Sequence, residues 1–220
     1  MSPKACIHVG IIGHPRHGKT TLTRALTTVS AAIYGAGSIK VLDEDPPTST
    51  DGIHVSGSEV VYESLSRRYV HLDFASLADF LKALVISPHV LHGVILVVDA
   101  AAGIEPGTTE QLALARAAGI PCATAYVSKL DVVDPVLVEA TALEVRDLLT
   151  ERGCVDTPVL RGSALRAVRA AEERQLRHPD VRSIRRLVQS LDDHLQPSNA
   201  AHRHDDGPTS IIRASRVAAA

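Results

Sequence analysis

"GHPRHGKT" (residues 13–20) lies between a short apolar run, "CIHVGII" (6–12), and a stretch with helical spacing, and this setting decides the fold. The segment fits the phosphate-loop pattern G-x-x-x-x-G-K-[ST], directly after a strand and directly before a helix. Gly13 and Gly18 let the backbone curl around an anion with its amide N–H groups pointing inward. A helix expected over about 19–32 adds its positive end. Lys19 is placed to reach the β- and γ-phosphates, and the Thr20 hydroxyl to hold Mg²⁺.

Outward from this loop, apolar runs alternate with longer helix-like stretches. That is the pattern of a mostly parallel sheet covered by helices. "HGVILVVDA" (92–100) is apolar almost throughout, as a central strand buried on both faces must be. "PCATAYVSK" (121–129) and "PVLRGSA" (158–164) read as further parallel strands, and 53–64 with 67–75 as an antiparallel pair at one edge. Helices are expected at about 77–87, 107–118, 134–152 and 180–195. In the last, Ile184, Leu187, Val188, Leu191 and Leu195 form one apolar stripe. The fold class expected is α/β: a three-layer sandwich of the P-loop NTPase type, with a six-stranded, mostly parallel sheet and one antiparallel edge strand. Residues 1–197 read as one domain and 198–220 as a flexible tail. The Pro/Gly/Thr-rich segment 35–52 reads as a long functional loop beside the nucleotide site.

Composition narrows the function classes. The 220 residues are 45% hydrophobic and 22% charged, enough for one sizeable core. A formal net charge of −2 gives no reason to expect bulk electrostatic binding to nucleic acid or anionic lipid. The three cysteines, Cys6, Cys122 and Cys154, are odd in number and widely spaced, which fits a reducing compartment rather than a disulfide framework. With no signal-peptide pattern and no apolar run long enough to span a bilayer, the expectation is a soluble cytoplasmic protein.

"SKLD" (128–131) ends a strand, where ligands of parallel sheets bind. The Asp131 carboxylate can accept two hydrogen bonds from guanine's ring N–H and exocyclic amine, an arrangement adenine does not offer. The Lys129 stem can lie along the base, and "GSAL" (162–165) can donate a backbone N–H to the guanine carbonyl. An ATP-using P-loop kinase is disfavoured on the same residues. Taken in order, "IGHPRHGKTTLTRALTTV", "HLDFASLADF", "HGVILVVDAAAGIEPGTTEQLALARAAGIP", "SKLDVVD" and "TPVLRGSAL" resemble the GTPase domain of the elongation factor Tu family, at nearly gapless spacing from about Cys6 to Pro197. The resemblance implies a translational-GTPase fold that binds GTP or GDP with Mg²⁺. Nucleotide contacts are then expected from Gly13, His14, Arg16, His17, Gly18, Lys19, Thr20 and Thr21, from Ser128, Lys129 and Asp131, and from Ser163, Ala164 and Leu165. Thr20 and Asp73 are the implied Mg²⁺ residues. A nucleotide-exchange factor or the ribosome is implied as partner by the resemblance alone. Direct tRNA delivery is not expected, because the family uses two further β-barrels for it.

The departures from the family pattern cluster around γ-phosphate sensing and water activation. The D-C-P-G-H of the family reads "DFASL" (73–77) here. Asp73 remains, Ser76 replaces the glycine whose N–H senses the γ-phosphate, and Leu77 replaces the histidine that positions the attacking water. Leucine has no polar group with which to orient water. "DGIHV" (51–55) puts His54 where the family has the Mg²⁺-binding threonine, and imidazole is a poor Mg²⁺ ligand. Ser128 stands for the asparagine of N-K-x-D and loses one amide partner. Pro15-Arg16 replaces Val-Asp in the loop. The Arg16 guanidinium either occupies a cation's place as a built-in arginine finger, or points to solvent or pairs with an acid such as Asp79. His14 and His17 read as parts of the loop rather than metal ligands, and "HRHDD" (202–206) as a solvated charge patch or a transition-metal site through His202 and His204. Two classes of function follow. One is a slow GTP hydrolase resting on Lys19, Thr20, Asp73 and Asp131; the other is a guanine-nucleotide-binding module with impaired or lost hydrolysis. The expectation is the second: a phosphate clamp that survives beside a damaged trigger.

Overall fold

The computed structural model describes residues 4–35, 57–74, 77–86 and 91–196. Within them run β1 (Ala5–Ile12), α1 (Lys19–Tyr34), β2 (Gly57–Glu63), β3 (Arg67–Phe74), α2 (Leu77–Ile86), β4 (Gly93–Asp99), α3 (Pro106–Ala117), β5 (Cys122–Ser128), α4 (Pro135–Glu151), β6 (Val159–Arg161), α5 (Ala164–Glu172) and α6 (Pro179–His194). The sheet order is β2-β3-β1-β4-β5-β6. Every neighbouring pair is parallel except β2 with β3, so the antiparallel strand lies at the edge, as expected.

All seven residues of β4 are buried, because the sheet is covered on both faces. Ile95 and Val97 face one core cluster, shared with Leu22, Leu26 and Val29 of α1, Val168 of α5 and Ile184, Leu187 and Leu191 of α6. Val94, Leu96 and Val98 face the other, with Phe80 of α2, Leu112 of α3 and Val145 of α4. Each large aliphatic side chain so buried contributes about 1.5–3 kcal/mol before chain entropy is counted. The β-branched threonines of α1 are accommodated by bonding back to the helix. Thr23 Oγ1 donates to Lys19 O at 3.2 Å and Thr27 Oγ1 to Arg24 O at 2.8 Å.

The expected helices and strands agree with the structure to within a few residues, with one omission. The run read as a strand over 158–164 holds a three-residue β6, and a nine-residue α5 follows it that the sequence reading did not separate from the "GSAL" loop. Ser163 caps α5, its hydroxyl accepting from Arg166 N at 3.1 Å. Its buried face is Ala164, Ala167, Val168, Ala170 and Ala171, with Arg166, Arg169 and Glu172 exposed on the other side. The expectations for 53–56, for the loop beyond Gly35 up to residue 52, for Ser76 and His54, and for the segment 198–220 lie outside the described residues. No helix among the described residues is long and apolar enough to cross a membrane.

One pH effect arises in the sheet. His8 on β1 stacks on His92 with ring centroids 5.8 Å apart, and its own backbone N–H donates to His92 Nδ1 at 3.1 Å. Burial first, and the neighbouring His92 second, lower the His8 pKa from 6.5 to about 4. Between those values the unfolded chain takes up a proton that the folded chain refuses. Stability therefore falls as pH drops through this window, by up to about 1.4 kcal/mol per pH unit. Denaturant unfolding at a series of pH values is expected to show this slope in the wild type. His8→Phe, which keeps the stacking and removes this titration, is expected to make the slope shallower, the rest coming from the buried His71, whose pKa burial lowers to about 3.

Candidate functional site

The site lies at the carboxyl ends of the parallel strands, where their loops converge. β1 ends at Ile12 and leads into Gly13–Gly18. Asp73 sits one residue before the end of β3, Asp99 ends β4, Ser128 ends β5, and Ser163 follows β6. The registers bring these ends together, with Ile11 opposite Asp73 and Asp99 opposite Ser128.

The phosphate loop is built on glycine. Gly13 has φ +141°, and a Cβ there would lie 2.2 Å from the Val97 carbonyl oxygen on β4. Its N–H donates to Gln111 Oε1 of α3 at 2.6 Å. Gly13→Ala is therefore expected to lower unfolding stability by about 1–3 kcal/mol for overpacking, with a further about 1–3 kcal/mol for backbone strain. A thermal melt with an unchanged midpoint would refute that. Gly18 stands at the N-cap of α1 with φ +93°, and no side chain caps the helix there. The first-turn amides of α1 are thus left for an acceptor that the protein's side chains do not supply.

Lys19, buried, turns its ammonium back over the loop. Its Nζ donates to Gly13 O at 2.9 Å and to His14 O at 3.3 Å. Burial lowers its pKa, and the Asp73 carboxylate opposes the shift. Thr20 Oγ1, on the first turn of α1, donates to Asp73 Oδ2 at 2.8 Å. Burial raises the Asp73 pKa, against the pull of the Thr20 hydrogen bond and the Lys19 charge. Hydroxyl and carboxylate oxygens are the donor types that Mg²⁺ takes, so these two residues fit that ion chemically. Thr21 is exposed beside Thr20.

The base-side residues are interlocked with the loop. Ser128 Oγ donates to His17 O at 2.6 Å, so the serine keeps a tether to the phosphate loop with its single hydroxyl. Lys129 has φ +62° and Arg16 φ +68°, two non-glycine residues in the left-handed region. Lys129 Nζ joins them to β4, donating to Arg16 O at 2.7 Å and to Asp99 Oδ2 at 2.6 Å. Asp99 Oδ1 also accepts from Ala101 N at 2.9 Å. Burial would raise the Asp99 pKa, but the Lys129 hydrogen bond and the Ala101 amide outweigh it and hold the carboxyl below its usual value. Asp131, half-buried, has a carboxylate that forms no hydrogen bond or ion pair among the described residues. Ser163 N is already donated to Asp180 Oδ1 at 2.8 Å, which leaves the amides of Ala164 and Leu165 as the base-facing candidates of this loop. Arg16 is exposed, and its guanidinium has no hydrogen bond or ion pair among the described residues. Asp79 lies instead 3.7 Å from Lys82 on α2. Leu77 is the first residue of α2 and half-buried.

Three residues of this site were missed by sequence reasoning: Asp99, Glu105 and Gln111. Asp99 had a readable signal, a carboxylate ending an otherwise apolar central strand. Gln111 and Glu105 had none. They meet loop residues 98 and 88 positions away, Gly13 and His17, and their placement depends on how α3 docks.

The sequence of the chain matches the family described as the elongation factor Tu GTP-binding domain over residues 4–197. That span takes in every element of the sheet, the loop Gly13–Thr20, Asp73 and Ser128–Asp131. With the fold and the phosphate loop in agreement, the chain belongs to the elongation factor Tu GTP-binding domain family, and is a GTP-binding translational GTPase domain.

Proposed function

We propose that this domain holds GDP or GTP with Mg²⁺ and hydrolyses GTP poorly. The observation that carries the binding half is the uncapped start of α1 behind a glycine-built loop, with the Lys19 ammonium folded over it. Thr20 and Asp73 would hold Mg²⁺, which supplies charge neutralisation at the β- and γ-phosphates when bound. The unpartnered Asp131 carboxylate would accept from guanine, with Lys129 held beside it through Asp99 and Arg16. For the hydrolytic half, Leu77 stands where the family carries its water-positioning histidine, and an isobutyl group neither donates nor accepts a proton. Arg16, exposed and unpaired among the described residues, is free to approach phosphate but offers no base.

Calorimetry with GDP, GTP and ADP, each with Mg²⁺, tests the reading. The guanine nucleotides are expected to bind in preference to ADP. Asp131→Ala is expected to erase most of that preference, since each charge-assisted hydrogen bond is worth about 1.5–3 kcal/mol. No binding of any nucleotide would defeat the reading, and equal binding of ADP and GDP would defeat its base assignment.

A further inference from the structure

At the phosphate loop, His14 and His17 converge with Glu105, which lies 88 positions beyond His17 in the chain. His14 Nδ1 lies 2.5 Å and His17 Nε2 2.7 Å from the same oxygen, Oε2 of Glu105. One donor atom from each of the three lies within 4.8 Å of the others. Glu105 occupies the N-cap of α3, where a carboxylate would ordinarily cap the helix. Its side chain makes no capping hydrogen bond and turns to the imidazoles instead. His17 is buried, with its other ring nitrogen, Nδ1, 3.4 Å from the Val97 carbonyl oxygen. That is the arrangement in which Nδ1–H donates to the backbone and Nε2 presents its lone pair outward, the usual second support of a metal-bound imidazole.

We propose that His14, His17 and Glu105 form a binding site for a zinc-type divalent cation, pinning the phosphate loop to the start of α3. Two imidazole nitrogens and one carboxylate oxygen form a donor set that Zn²⁺ takes with three protein ligands and one open position. Imidazole excludes Mg²⁺ and Ca²⁺ from it, since these prefer hard oxygen donors. With bonds of about 2.0–2.2 Å, tetrahedral donors stand roughly 3.3 Å apart, so the two His–Glu105 contacts must open by less than about 1 Å while the two imidazole nitrogens, now within 4.8 Å of each other, settle at that same spacing. The fourth position faces a cleft of about 250 Å³ lined by Pro15, Arg16, Asp99, Ala102 and Lys129 as well as the three ligands. A water or an anionic oxygen can complete the shell there.

The test needs no nucleotide, so its failure is separate from failure of GTP binding. The full chain carrying His202→Ala and His204→Ala, which removes the other histidine pair, is titrated with Zn²⁺ by calorimetry and with Co²⁺ by visible absorption. One Zn²⁺ per chain is expected, with a tetrahedral Co²⁺ spectrum that lacks a thiolate charge-transfer band. Glu105→Gln and His14→Asn, both at half-buried positions, are each expected to weaken binding at least about tenfold. In the same His202→Ala, His204→Ala chain, Zn²⁺ is expected to slow diethylpyrocarbonate modification of the half-buried His14. Unchanged affinity in both variants, or no protection of His14, would overturn the proposal.

Discussion

Lys19→Ala is expected to cut GDP affinity by about 30- to 4,000-fold, the loss of about 2–5 kcal/mol that follows truncation of one partner in a buried, hydrogen-bonded charge pair. The ammonium is buried and turned in over the loop, at 2.9 Å from Gly13 O and 3.3 Å from His14 O. Burial makes that charge costly to hold without an anion nearby, and a diphosphate supplies one. The two carbonyls restrain Nζ in the structure, and phosphate oxygens are expected to replace them when GDP binds. Calorimetry with GDP·Mg²⁺ checks the value, and far-UV circular dichroism checks that the variant is folded. A folded Lys19→Ala chain that binds GDP as the wild type does would separate the loop from the nucleotide altogether.

The second large effect is a gain. Leu77→His is expected to raise single-turnover GTP hydrolysis about 10²-fold or more, within the about 10²–10⁴ that a positioned acid–base or water-orienting group supplies. Leu77 opens α2 directly after the segment that links it to β3, and Asp73 at the end of β3 faces Thr20. An imidazole at that position would start α2 three residues after Phe74, on the β3 side of the cleft that carries Asp73. GDP affinity is expected to stay unchanged, because Leu77 makes no part of the loop or of the base-side lock. An unchanged hydrolysis rate with nucleotide bound would mean that the leucine is not what limits the chemistry.

The division between what could and could not be read from the chain has a physical basis. The loop, the positions of the strands and the two-faced burial of β4 were legible because they depend on local signals: glycines at fixed spacing, a lysine at a helix start, apolar runs of period two or none. The stripe Ile184, Leu187, Val188, Leu191 and Leu195 was legible for the same reason, and all five are buried. α5 escaped although its small apolar face is set against exposed Arg166, Arg169 and Glu172, because it spans only nine residues directly after a three-residue strand. At the site, Lys19 and Thr20 were legible from their pattern. The bonds that hold the base-side residues were not, because they link chain positions far apart. Lys129 reaches Asp99 and the Arg16 carbonyl, and Ser128 reaches the His17 carbonyl. Ser128 also changes meaning once seen in place. Read alone it is a shortened asparagine; in the fold its one hydroxyl secures the phosphate loop. The Glu105 contacts set a carboxylate beside His14 and His17, two histidines read as loop residues, and only the docking of α3 could disclose that.

The division between a retained grip and a lost trigger is tested most directly by single-turnover hydrolysis, with the wild-type chain in excess over GTP·Mg²⁺ and product followed by chromatography. The expected result is GTP bound by the protein and still intact after hours. Rapid appearance of GDP, at a rate that Leu77→His does not improve, would contradict it.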